Sequence, residues 1–240
     1  MPHSSTVPSS PAPISLVLAS GSRYRAGLLS DAGFEVDIDP PSIDERTADV
    51  LLEHLGADGL AVELARRKAL DVAPRHPGRV VVAADQVGVL PSPDGSVSLL
   101  TKQPTVEGAV AQLMAMSGTT HKLVNGLVVV AGRGTLHSGV DVQVVTMRRY
   151  TEAEARAYVE RFEPFDTAGS YRLEDGEVLA REAGPDAPLV ASVAGEDASG
   201  VVGLPMPLLR RLLADAAAAD GLATSAADGL ATSAADGLAT

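Results

Sequence analysis

The sequence predicts an α/β protein built on a mixed rather than a purely parallel sheet. Two observations point there: short apolar runs that end at Gly, Ser or Asp alternate with amphipathic stretches of helical period, and the two kinds keep no strict strand-helix-strand rhythm. A third is composition, since 45% of the 240 residues are apolar while only 3% are aromatic and Trp is absent. The core must be assembled from Val, Leu, Ile and Ala, which suits a sheet covered by alanine-rich helices.

Residues 14–19 are a short apolar run that enters Gly21-Ser22-Arg23 and then Ala26-Gly27-Leu28-Leu29, reading as strand, turn and helix. Residues 34–38 alternate like a strand. Residues 58–73 set Leu60, Ala61, Leu64 and Ala65 on one helical face and stop before Pro74. Residues 80–84 have buried-strand character, with Asp85 expected at the C-terminal end. Residues 106–116 read as an amphipathic helix closed by Ser117-Gly118, and 122–131 with 140–150 as the arms of a hairpin. Thr151, followed three residues later by Glu154, is a capping-box signature, and residues 204–213 form the last helix.

The ends differ in kind. Residues 1–13, rich in Ser and Pro, read as a disordered leader. From 219 to 240 the unit Ala-Asp-Gly-Leu-Ala-Thr-Ser-Ala recurs with a period of eight, too short to close a core, so 214–240 reads as a low-complexity tail. The folded domain expected is 14–213.

A net charge of −12 and a pI near 4.8 oppose affinity for a nucleic acid polymer or an anionic membrane. A polyanionic small substrate would need a local basic pocket. The chain has no Cys, which excludes disulfides, thiolate metal sites and thiol nucleophiles. It has no apolar run of about 18 residues and no basic region ahead of an apolar one, so a soluble cytoplasmic protein is expected. His54, His76, His121 and His137 are scattered without ligand spacing, and neither a Gly-x-Ser-x-Gly elbow nor a Walker-type loop is present.

Three groups of residues could carry chemistry. Ser20-Gly21-Ser22-Arg23-Tyr24-Arg25 turns a strand into a helix through small residues, which leaves backbone N–H groups at the positive end of the helix dipole for an anion. Arg25 could add a forked contact to phosphate, although many such turns bind nothing. Asp44 and Glu45 in a loop and Asp85 beside Gln86 could share a hard divalent cation, or the first two could be solvated loop charge. Lys68, Lys102 and Lys122 are the only lysines, and each reads either as a surface charge or as an ammonium aimed at phosphate.

In order and spacing, the pieces resemble the Maf family over residues 14–213. The matching segments are Leu18-Ala19-Ser20-Gly21-Ser22 with Arg25, Ile43-Asp44-Glu45, Leu64-Ala65 with Lys68-Ala69, Ala84-Asp85, and Lys102 with Pro104. Ser117-Gly118 with His121, Ala168-Gly169-Ser170-Tyr171 and Val201-Val202-Gly203-Leu204-Pro205 follow. The resemblance implies an elongated mixed sheet flanked by helices around a central substrate cleft, of the Maf/ITPase-like kind. It also implies hydrolysis of a nucleoside triphosphate to the monophosphate and pyrophosphate with a divalent cation, Mg²⁺ or Mn²⁺, and suggests a homodimer.

By the same resemblance Asp85 is the general base, deprotonating a metal-bound water for attack at the α-phosphorus, while Arg25, Lys68 and Lys102 offset charge on the leaving pyrophosphate. Glu45 is expected to contact the metal, with Asp85 sharing it, and Ser20 and Ser22 to bind substrate. Tyr24, Gln86 and Glu174 look like the branch of the family that acts on 7-methyl-GTP, where a methylated cationic guanine favours an aromatic face and a carboxylate accepts from the guanine edge. The alternatives are the dTTP/UTP branch and a nucleotide-binding regulator of septum formation. The chain departs from the family in having Arg23 for Pro, Thr101-Lys102-Gln103-Pro104 for Gly-Lys-Pro, and Asn125-Gly126 for Thr-Gly.

Overall fold

The structure, a computed structural model, describes residues 14–43, 48–92 and 94–219. Asp44 and Glu45 lie outside the described residues, as do the leader and the repeat from 220 onward. The elements run β1 (Ser15–Leu18), α1 (Arg23–Asp31), β2 (Glu35–Ile38), α2 (Ala48–Val72), β3 (Val81–Pro91), β4 (Val97–Leu100), α3 (Val106–Met116), β5 (Thr120–Val130), β6 (Leu136–Met147), α4 (Glu152–Phe162), α5 (Leu173–Ala183), β7 (Val190–Ala194) and α6 (Met206–Ala219). The seven strands form one mixed sheet in the order β2-β1-β3-β5-β6-β7, with β4 also on β3. β1 is parallel to β2 and β3, and the remaining pairs are antiparallel.

Both faces of the sheet are covered, as the alternation of side chains along each strand requires. In β3, Val82 and Ala84 join Leu16, Leu18, Leu127 and Val129 beneath Leu29 of α1 and Leu204 and Leu209 at the α6 end. Val81 and Ala83 turn the other way, with Val17, Val128 and Val130, onto Ala65, Ala69 and Val72 of α2. At the far end of the long β5 and β6 strands, Leu123, Val145 and Met147 pack with Leu113 of α3 and Tyr158 and Val159 of α4.

The notch that becomes the site follows from the pairing of β3. Its one edge is filled by β5 from Val81 to Val89. On the other edge β1 reaches only Val81 and Val82, and β4 begins only at Gly88. Residues 83–87 therefore have no strand beside them on that edge. β1 runs parallel to β3 and β4 antiparallel, so both strands end at this gap from opposite directions.

Several expectations shift. Asp85 is not at a strand end: the apolar run stops there, but β3 continues to Pro91 because its second half pairs with β4 and β5. α2 starts at Ala48 rather than Asp58 and is broken at Gly56, whose φ is 67°. The last helix runs past Leu213 to Ala219, carried by alanines of high helix propensity. The capping box of Thr151 and Glu154 is present.

Candidate active site

The gap in the sheet opens into a cleft of about 820 Å³, lined by Ser20, Ser22, Tyr24, Arg25, Lys68, Asp85, Gln86, Lys102 and Glu174 among others. Of the three lysines Lys68 and Lys102 reach this cavity and Lys122, exposed on β5, does not; the described residues of the Ser20 turn, Asp85, Gln86 and Glu174 all reach it. β1 delivers the Ser20-Gly21-Ser22 turn to one lip, where Ser22 caps α1 by accepting from Arg25 N–H at 3.4 Å. β4 delivers Thr101-Lys102 to the other. Although the chain carries a net charge of −12, the cleft gathers Arg23, Arg25, Lys68, Lys102 and Arg172, against Asp85, Asp166 and Glu174.

Asp85 sits mid-strand and only 7% exposed, on the face toward α2. Lys68 Nζ of α2 donates to Asp85 Oδ1. That contact depends on how closely α2 lies on the sheet. Asp85 is paired with Gly126 of β5, and a Cβ built on Gly126 would lie 2.1 Å from the Ala61 carbonyl carbon and 2.4 Å from Val62 N. Only glycine lets the helix backbone rest on the strand here. Lys68 follows Ala61 by about two helical turns on the same face, so the close approach carries the ammonium to the carboxylate.

The open edge of β3 leaves carbonyls to be satisfied. Arg25 does this: Nη1 donates to Ala84 O at 2.9 Å and to Ser20 Oγ at 3.2 Å, and Nε donates to Gly203 O at 2.9 Å. Its charge is thereby fixed between the Ser20 turn, β3 and the Gly203 turn. Gly203 has φ 89° and a Cβ there would lie 3.0 Å from Arg25 Nη2, so both conformation and space call for glycine.

Gln86, next along β3, faces the opposite way from Asp85. Its Nε2 donates to Asn125 Oδ1 at 3.1 Å, Gly200 O at 3.1 Å and Val201 O at 3.0 Å. Asn125 is itself oriented by donating to Asp141 Oδ2 at 3.0 Å and Gly200 O at 2.7 Å, and Gln143 donates to the same Asp141 oxygen at 2.9 Å. With the Gln86 amide nitrogen turned inward onto acceptors, the group it offers a ligand is the carbonyl Oε1, an acceptor. Asn125 was marked in the sequence only as a departure from the family pattern, and nothing local signals its role beneath Gln86.

The two other departures are accommodated. The added residue Gln103 is absorbed by Gln112 of α3, which accepts from Thr101 N–H at 3.1 Å and from Gln103 Nε2 at 3.4 Å, and donates to Thr101 O at 3.0 Å and to Ser170 Oγ at 2.8 Å. Lys102 then bridges to Ala168 and still lines the cleft. Arg23 lies over the Tyr24 ring at 5.1 Å and donates to Tyr24 Oη at 3.2 Å. Glu174 is exposed in the first turn of α5. Arg172 and Asp166, which pair with each other on the same wall, were not found from the sequence; their only signal is adjacency to the Ala168-Gly169-Ser170-Tyr171 segment.

That wall is supported from behind by His121, which is fully buried with Nε2 2.8 Å from Tyr171 Oη. Its Nδ1 has no partner among the described residues. Burial pushes the His121 pKa down to about 4 from its ordinary 6.5. The unfolded chain therefore binds more protons between these values, and the stability His121 contributes is complete above 6.5 and lost as pH falls toward 4. We expect about 2 kcal/mol of this to be lost between roughly pH 7 and pH 5. Thermal melts at both pH values should show a larger fall for the wild type than for His121→Gln. Equal falls would rule out His121 as the titrating group.

Among the described residues no group of three or more His, Asp or Glu converges as a metal site. Asp85 is the carboxylate of the cleft floor. A hard oxygen donor of this kind fits Mg²⁺ or Mn²⁺, which bind through one or two carboxylates together with substrate phosphates. No helix of the described residues is long and apolar enough to cross a membrane.

A 7-methyl-GTP pyrophosphatase of Nitrosococcus oceani is 36% identical over 208 residues, covering 86% of this chain and 96% of that protein. A dTTP/UTP pyrophosphatase of Thermomicrobium roseum is 36% identical over 203 residues, covering 85% of this chain and 84% of its own length. A solved nucleoside-triphosphatase (dITP/XTP pyrophosphatase) of Mycobacterium abscessus aligns with 70% of this chain and 93% of its own at 13% identity, with a TM-score of 0.38, too distant to bear on the site. The family described as Maf-like protein matches residues 15–216, nearly all of the described chain, and the protein belongs to the Maf family.

Proposed function

We propose that this Maf protein is a nucleotide pyrophosphatase that hydrolyses 7-methyl-GTP to the monophosphate and pyrophosphate. The observation that carries the reading is one cleft holding two complementary sets of groups. Lys68, Lys102, Arg25 and the N-terminus of α1 suit a triphosphate, while Tyr24, Gln86 and Glu174 suit a base. The volume of about 820 Å³ is within the range of small-molecule sites. Gln86 Oε1 and the Glu174 carboxylate are both acceptors, which matches the N1–H and amino donors of guanine and disfavours cytosine.

In this mechanism Asp85 takes a proton from water as the water oxygen attacks the α-phosphorus. The bond from that phosphorus to the bridging oxygen breaks and pyrophosphate leaves. The Lys68 ammonium donates to the Asp85 carboxylate and holds its direction. Lys102 and the charge of Arg25 offset what develops on the leaving group. Asp85, with Glu45 as the second carboxylate and the substrate phosphates, would hold a divalent cation, which when bound neutralises triphosphate charge.

A second reading has its own support, because the Thermomicrobium relative named for dTTP and UTP is as similar as the one named for 7-methyl-GTP. The two are separated by pyrophosphate release measured with Mg²⁺ or Mn²⁺ on 7-methyl-GTP, GTP, UTP, dTTP and CTP. The expected order has 7-methyl-GTP first and CTP last. Preference for UTP or dTTP would overturn the base assignment, and no release from any of them would overturn the pyrophosphatase reading.

A further inference from the structure

The wall that carries Glu174 is anchored through Leu173 and Leu179 of its own helix, both only partly buried against the cluster of Leu113 and Tyr158. α5 has no buried residue, and its N-cap, Arg172, makes no side-chain capping bond. A helix start leaves backbone N–H groups that need acceptors. Here the acceptor comes from another helix: Arg172 N–H donates to Tyr158 Oη of α4 at 2.9 Å, and the same hydroxyl donates to Asp175 Oδ2. Asp175 also lies 3.8 Å from Arg172 Nη1. Tyr158 is only 5% exposed and does not line the cleft.

One phenolic hydroxyl therefore grips residues 172 and 175, on either side of Glu174. Burial of the Asp175 carboxylate, which raises its pKa, makes the phenol a needed partner rather than an optional one. We infer that Tyr158 and Asp175 are positioning residues for base selection, holding the first turn of α5 so that Glu174 meets the base at a fixed angle. This rests on the reading of Glu174 as the base contact.

Tyr158→Phe removes the hydroxyl and keeps the ring that packs against Phe162 at 5.0 Å between centroids. The expected result is a roughly tenfold rise in KM for 7-methyl-GTP with kcat within about twofold of wild type. The effect should vanish in a Glu174→Gln background, since Tyr158 acts through Glu174. Asp175→Asn, which keeps an acceptor for the phenol, should show a smaller rise of the same kind and serves if Tyr158→Phe does not fold. A loss confined to kcat, or the same loss with and without Glu174, overturns the positioning role while leaving the base assignment standing. If Glu174→Gln leaves the 7-methyl-GTP to UTP preference unchanged, the base assignment itself fails and this role fails with it.

Discussion

Asp85→Asn should reduce pyrophosphate release by roughly 10²–10⁴-fold while the fold survives. The loss is expected because Asn cannot accept a proton from the attacking water. Survival is expected because the Asn carbonyl can still accept from Lys68 Nζ, so the ammonium, in a side chain only 11% exposed, keeps a partner. Purified variant and wild type would be compared in the pyrophosphate assay at saturating substrate, with melting temperature measured alongside. Turnover equal to wild type would remove Asp85 as the base. A collapse of melting temperature would instead show that the pair is needed mainly to neutralise a largely buried charge.

The sequence made most of the candidate residues visible but not the reason they meet. Lys68, Asp85, Lys102 and Glu174 are far apart along the chain and converge because β1 and β4 stop short on the same edge of β3. β4 was not anticipated, since Val97–Leu100 is short, begins with two exposed residues and follows a Pro- and Gly-containing loop. Without β4 the gap has only one side, and Asp85 reads as a strand terminus rather than the floor of a notch. Orientation was equally hidden. Arg25 was expected as a free fork for phosphate, whereas its Nε and Nη1 are spent on Gly203 O, Ala84 O and Ser20 Oγ.

Elements whose signals are local were legible. The helix Val106–Met116 carries its period in its own residues and its stop in Ser117-Gly118, and Thr151 with Glu154 close a box within one turn. α5 was missed for the opposite reason: Leu173–Ala183 contains Gly176, buries no residue and is held by Tyr158 from a different helix. β7, Val190–Ala194, was not anticipated either: it is a short strand at the sheet edge with most of its side chains exposed.

Gly126→Ala should damage stability and activity together, although the added group is a single methyl. The new Cβ would stand 2.1 Å from the Ala61 carbonyl carbon and 2.2 Å from its oxygen, well inside the roughly 3.5–4.0 Å of a comfortable carbon contact. Those atoms are helix backbone, so no rotamer change relieves the clash and α2 must withdraw from the sheet. Overpacking of this kind costs about 1–3 kcal/mol, visible as a lower melting temperature. The helix moves as a body, so Lys68 leaves Asp85, and a displacement of about 1 Å at a reacting group is enough for a loss on the order of 10²-fold. Gly27→Ala in α1 is the control, because nothing lies within 4 Å of its Cβ, and it should be neutral or slightly stabilising. If Gly126→Ala melts lower but keeps full turnover, the close approach of α2 matters for packing alone, and the Lys68 contact to Asp85 is held by something other than the position of the helix.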